Sequence, residues 1–181
     1  RFGGELRAAR MWFGDMPFGR DGSWFGRASF SAQVERPVGR LRLVSRSFGA
    51  VGVGSDVPPQ EFVHLGGPTT GPGYEFHELV GRIGASQRLE ARFPVPFFAL
   101  SLGRYGNTGS YATLAPYLHT GYIARLDDAP PAGQRSVGWY PSVGVGLLTV
   151  FDLLRFDDAK GVPDGRWSFS VDVIRDFWPI L

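Results

Sequence analysis

The sequence predicts an all-β chain, an antiparallel transmembrane β-barrel wall of about eight strands. Three observations predict it. Several segments alternate apolar and polar residues with a period of two, the spacing at which strand side chains point to opposite faces. The 181 residues include 26 glycines and 14 prolines beside 43% hydrophobic and 14% aromatic residues. That mixture suits short strands punctuated by turns and does not suit helices. Short and long connections also alternate along the chain, as they do between the two ends of a membrane barrel. No stretch approaches the roughly 18 consecutive apolar residues of a membrane helix. A mean hydropathy of −0.08 does not oppose a membrane barrel, because only alternate residues of such a wall face lipid.

The strands are expected near residues 5–13, 24–35, 40–53, 84–95, 111–124, 138–148, 152–158 and 166–177. In the second, Trp24, Ala28, Phe30, Ala32 and Val34 share one face, and Arg27, Ser29, Ser31, Gln33 and Glu35 the other. In the third, Arg40, Arg42 and Arg46 oppose Leu41, Leu43, Val51 and Val53. In the fourth, Ser86, Arg88, Glu90 and Arg92 oppose Leu89, Ala91 and Phe93, with Glu90 and Arg92 expected to pair. The last strand sets Trp167, Phe169, Val171, Val173, Arg175 and Phe177 against Arg166, Ser168, Ser170, Asp172, Ile174 and Asp176. The first of these two faces is expected to meet lipid. The polar faces, with Arg88, Glu90, Arg92 and His119, are expected to line a wet lumen. A soluble sandwich would show the same alternation, so only the surroundings of each face separate the two. Short connections are expected at 36–39 and near Val150-Phe151. Longer ones fall at 14–23, 54–83, 125–137 and 159–165. The segment 96–110 is long on the short-turn side, and Leu100-Ser101-Leu102 within it is a candidate for extra strand. Trp12, Trp24, Trp139, Trp167 and Trp178 lie near strand ends, as interfacial girdles do; core tryptophans of a soluble β-domain are the alternative.

A net charge of +2 without a concentrated basic face gives no support to nucleic acid as a partner. The chain has no cysteine, so disulfides and thiolate metal sites are excluded. It begins at Arg1 without a signal peptide, and a preceding N-terminal portion is expected.

Residues 54–83 form the least ordinary stretch. Unstructured loops of this length are uncommon in compact proteins. This one carries Phe62, Leu65, Tyr74, Phe76 and Leu79, and its glycines permit close backbone approach. It is expected to fold back against the rest of the chain. The order Gly66-Gly67, Thr70, Gly73-Tyr74, then Leu89 to Pro96, then Ala115 to Gly121, then Ser142 to Leu147 and Leu154 to Ala159, resembles the barrel of the bacterial surface antigen superfamily. Its members include BamA- and TamA-like assembly factors and two-partner secretion transporters. The resemblance spans about 60–181. It implies that the whole chain, 1–181, is the C-terminal half of a sixteen-stranded outer-membrane barrel, with the 54–83 loop tucked inside. Gly66, Gly67, Thr70, Gly73 and Tyr74 would be the loop motif. It also implies a bacterial outer-membrane location and a non-enzymatic role in inserting or translocating proteins, or in anchoring an upstream domain. The partners would be outer-membrane lipid and other outer-membrane or periplasmic proteins; no cofactor is expected. Two positions depart from the family. Pro72 stands where the loop usually has Arg, and His119 stands where the strand usually has Asp. In the family these two form the contact that pins the loop. The C-terminus departs too, since Pro179-Ile180-Leu181 follow the aromatic pair Phe177-Trp178.

Rival chemistries are open at the histidines. His64, His77 and Glu78 would make a metal site in the loop, although their spacing matches no standard ligand motif. Loop histidines bonded to backbone or water are the plainer reading. His119 with a nearby serine would make a hydrolase, yet no Gly-x-Ser-x-Gly elbow is present. The glycine-rich run from Gly49 to Gly54 lacks phosphate-loop spacing and reads as a strand end passing under the loop. Two further architectures are a self-contained eight-stranded pore or anchor and a soluble β-sandwich binding module.

Overall fold

The computed structural model describes residues 2–10, 24–54, 57–99, 101, 103–124, 135, 137–162 and 164–173. They form an eight-stranded antiparallel sheet with a two-stranded sheet beside it. The large sheet contains β1 (Phe2–Arg10), β2 (Trp24–Val38), β3 (Leu41–Gly54), β6 (Ile83–Pro96), β7 (Tyr111–Ala124), β8 (Gly138–Thr149), β9 (Leu154–Gly161) and β10 (Trp167–Val173), paired in that order. Between β3 and β6 the chain builds β4 (Val63–Leu65) and β5 (Leu79–Gly81), which pair with each other. Each large strand pairs with its sequence neighbour once this insertion is set aside. Among the described residues the sheet is open, with β1 and β10 at opposite edges.

The expected strands match these, with differences at the ends: β1 begins at Phe2 and not at 5, and β9 continues to Gly161 where a connection was expected from 159. The eighth-to-ninth turn falls later than expected, so β9 begins at Leu154 and not at 152. Val150, Phe151 and Asp152 all have φ between 51° and 63°, and the Leu153 N–H donates to the Val150 carbonyl. Left-handed backbone at a β-branched residue is a costly conformation that periodicity does not announce. The segment 96–110 holds a 3₁₀ turn at Gly103–Tyr105 and an isolated bridge between Ser101 and Asn107. Leu100 and Leu102 lie outside the described residues, as do 11–13 and 174–181 with Trp12, Phe177 and Trp178.

The two faces differ sharply. Phe30, Val34, Leu43, Leu89, Leu118, Val143, Trp167, Phe169, Val171 and Val173 share one face and are exposed, Trp167 at 68% and Phe169 at 69%. Polar groups interrupt that face: Ser47 Oγ donates to Gln87 Oε1 and Gln87 Nε2 to Ser45 Oγ, while Arg36, Asp158 and Lys160 are exposed on it, Lys160 Nζ 5.5 Å from the centre of the Trp167 ring. The opposite face carries Arg88, Glu90, Arg92, His119, Arg155 and Asp157, all buried. This inverts the polarity of an ordinary soluble sheet, in which the apolar face is covered and the charged face wet.

Trp24, Trp139 and Trp167 all lie on the apolar face near the long-connection ends of strands running in one direction. Measured through the register from the level of Trp24, Trp139 falls about six residues and Trp167 about ten residues further along. At about 3.4 Å per residue and about 4.8 Å between strands, the three indoles lie near one line, inclined about 50° to the inter-strand direction.

Candidate functional site

The insertion between β3 and β6 lies on the charged face and covers part of it. Its anchors are apolar. Val63, Leu65 and Leu79 are fully buried and form one cluster with Tyr74, with Ala50 of β3 and with Ile123 of β7; Phe48 and Tyr140 pack against it. Burial of each large aliphatic side chain contributes roughly 1.5–3 kcal/mol. The expectation that Gly49 to Gly54 passes under the loop holds: Ala50 is in this cluster, and a Cβ on Gly52 would lie 3.3 Å from the Glu61 carbonyl oxygen.

The five motif residues shape the tip. Gly66 has φ 128°, and a Cβ there would lie 2.0 Å from the Glu75 carbonyl oxygen. Thr70 Oγ1 donates to the Gly66 carbonyl at 2.9 Å and accepts from its N–H at 3.2 Å. The Gly67 N–H donates to the Tyr74 carbonyl, closing the turn over the single helical turn Gly67–Thr70. Gly73 has φ 85°, and a Cβ there would meet the Gly161 nitrogen at 2.2 Å. Its N–H donates to Ser168 Oγ at 2.9 Å, and its carbonyl accepts from the Arg166 N–H. Tyr74 drives its hydroxyl between β8 and the segment after β9, donating to the Pro141 and Val162 carbonyls at 3.0 and 3.3 Å. Burial pushes the Tyr74 phenol above its ordinary pKa. The tip thus joins β8, β9 and β10 although it departs from the chain at β3.

Beneath the tip lies a continuous ionic cluster. Arg155 grips Glu90 with two hydrogen bonds of 3.0 and 2.7 Å and also holds Asp157 at 2.5 Å. Arg88 bonds Glu90 at 3.1 Å and Asp157 at 3.0 Å, and Arg92 bonds Glu90 at 2.5 Å. The expected Glu90–Arg92 pair is therefore present, but it is one arm of a five-residue network. β6 and β9 are three strands apart, about 14 Å on a flat sheet. The long side chains cross β7 and β8 because β8 presents glycines there. A Cβ on Gly146 would meet Arg155 Nη2 at 2.7 Å, and one on Gly144 would meet the Tyr117 ring at 2.4 Å. The Arg88 guanidinium lies 3.5 Å from the centre of the Tyr117 ring, a cation–π contact, and its Nη1 reaches the Pro68 carbonyl of the loop at 3.4 Å.

Pro72 is buried, and His119 lies beneath Thr70 with its Nδ1 3.4 Å from Ser142 Oγ. Apolar packing, the Tyr74 hydrogen bonds and the ion pairs Arg166–Glu75 and Arg135–Glu78 hold the loop. Among the described residues the Ser142–His119 pair shows no third side chain: no side-chain partner meets His119 Nε2, and both residues are buried. Nucleophilic catalysis needs a base oriented by a third group and open to substrate, and among the described residues this pair shows neither. The proposed three-ligand metal site does not assemble. His64 Nε2 meets the Pro59 carbonyl, the His77 ring stacks on Phe76, and Glu78 is taken up by the Glu75 N–H and Arg135. Among the described residues no three metal-ligating side chains converge.

Sequence reasoning missed Arg155, Asp157 and Tyr117. The signal was present: Arg155 and Asp157 alternate with Leu154 and Phe156, the same charged-against-apolar pattern used for β6. What the pattern withholds is that these charges meet Glu90, 65 residues away. No carboxylate in the cluster is free to act as a base, and none holds an exposed approach. The arrangement can lock strands and loop together. In comparisons with known proteins, no family model matches this chain and no curated protein matches it.

Proposed function

We propose that this chain is part of the wall of a bacterial outer-membrane β-barrel of the surface antigen kind, with a non-enzymatic role in inserting or translocating other polypeptides or in anchoring an upstream domain. One observation carries the reading. An extended aromatic and aliphatic face is exposed, while its reverse buries a five-member ionic network under an infolded loop. Lipid is the solvent in which that polarity is favourable, because hydrocarbon cannot satisfy charges and does not penalise Phe, Leu or Val. The tryptophan line supports it. Indoles held at one membrane level on tilted strands fall on a line inclined by the tilt, and membrane barrels tilt their strands by about 35–45°.

Among the described residues the edges at β1 and β10 are open, which favours further strands completing the wall over closure of these eight upon themselves. The other route to covering the apolar face, a second sheet in a soluble sandwich, is separated by one experiment. The protein is refolded with phosphatidylcholine vesicles and floated on a density gradient. Co-flotation that resists alkaline carbonate is the expected result. A monodisperse protein that stays in the aqueous fraction without detergent overturns the reading.

A further inference from the structure

The apolar face is not uniform. On β6, Ala91 stands between Leu43 of β3 and Pro116 of β7, and the small residue leaves a groove of about 610 Å³ walled by Val34, Leu43, Leu89 and Leu118. That volume lies in the range of small-ligand sites. Next along the strands toward the β2–β3 turn, a second apolar depression lies against Leu41, Phe93 and Pro94. Rows Leu41, Leu43 and Ser45 follow one another on the same face, so the two depressions run on for about 13 Å. Each has an arginine at it: Arg36 lines the first and Arg40 the second. Both are exposed, and among the described residues neither has a carboxylate within ion-pair distance. Arg40 also borders a more polar hollow on the other side of the turn, with Arg42 and Asp152. Glu35, the nearest acid in sequence, points to the opposite face and accepts from Gln33.

From this juxtaposition of an apolar channel and two exposed cations along it, Arg36 in the row of Leu43 and Ala91 and Arg40 at the turn end, we infer that the channel holds an anionic phospholipid. Its acyl chain lies over Ala91 and its phosphate meets Arg36 and Arg40. The occupant is a phospholipid and not a free anion, because the cations flank a channel that offers a free anion nothing further. The short-turn end of an outer-membrane barrel faces the periplasm. The inference rests on the membrane reading of the previous subsection.

The test uses the protein reconstituted in phosphatidylcholine vesicles, with chain-labelled phosphatidylglycerol or phosphatidylcholine as probe and spin-label immobilisation as readout. Two arginines near a membrane surface favour the anionic lipid by roughly five- to thirty-fold. The expected result is a preference of that order, falling close to one in R36Q/R40Q and persisting in R42Q, whose arginine points to the charged face. A91F, which fills the channel, should lower the immobilised fraction while strand content by circular dichroism is unchanged. Equal association of the two lipids, or a preference unaltered in R36Q/R40Q, overturns the inference. A protein that floats with the vesicles yet shows no preference sinks this site alone; one that does not float sinks the membrane reading itself.

Discussion

The two faces of the sheet use the same strands to opposite ends. One face carries Leu89, Leu118, Val143 and Phe169 with little above them. The other carries Arg88, Glu90, Arg155 and Asp157 within hydrogen-bond distance of each other, under a loop whose own core is apolar. The lesson concerns where specificity is stored. On the apolar face each residue contributes by area, without direction, and neighbours are interchangeable. On the charged face each residue depends on a particular partner, because a buried ion left alone is far costlier than a missing methyl.

The largest test of that difference is Glu90→Gln. It strips one charge from a site where Arg88, Arg92 and Arg155 converge. A loss of about 3–5 kcal/mol in unfolding free energy is expected, as for other buried pairs broken on one side. Urea titration of the vesicle-refolded protein measures it, and a loss under about 1 kcal/mol would show the network to be solvated after all. Leu65→Ala should cost about 2–5 kcal/mol through the cavity it leaves. Its effect should be concentrated in the loop, so hydrogen exchange is expected to speed up in β4 and β5 before β6 and β7.

On the other face, Leu118→Arg asks which solvent is present. An arginine near the middle of a bilayer costs about 2–4 kcal/mol, whereas on a wetted surface the change stays within about 0.5 kcal/mol. The same denaturation assay decides between them. The smallest effect is expected from Tyr74→Phe, which removes the donor to the Pro141 and Val162 carbonyls and should cost about 0.5–1.5 kcal/mol. The raised Tyr74 pKa adds a pH signature. The protonated phenol favours the docked loop, a contribution fully present below the unfolded pKa of about 10 and lost as pH rises through the folded value. Loop proteolysis should therefore increase at alkaline pH in the wild type, and that added dependence should be absent in the variant.

Strand positions and the membership of each face were legible in the residues themselves. Trp167-Ser168-Phe169-Ser170-Val171-Asp172-Val173 declares its two sides because side chains on extended backbone alternate whatever surrounds them. Gly66, Gly67 and Gly73 likewise announced a tightly folded tip. Tertiary structure alone decided that Glu90 takes Arg155 as its strongest partner, that Gly144 and Gly146 open the way across β8, and that Tyr74 lands between β8 and β9. Periodicity is a property of a few consecutive residues. Partnership depends on register accumulated over several strands and on the room each intervening residue leaves, and neither is written in any one segment.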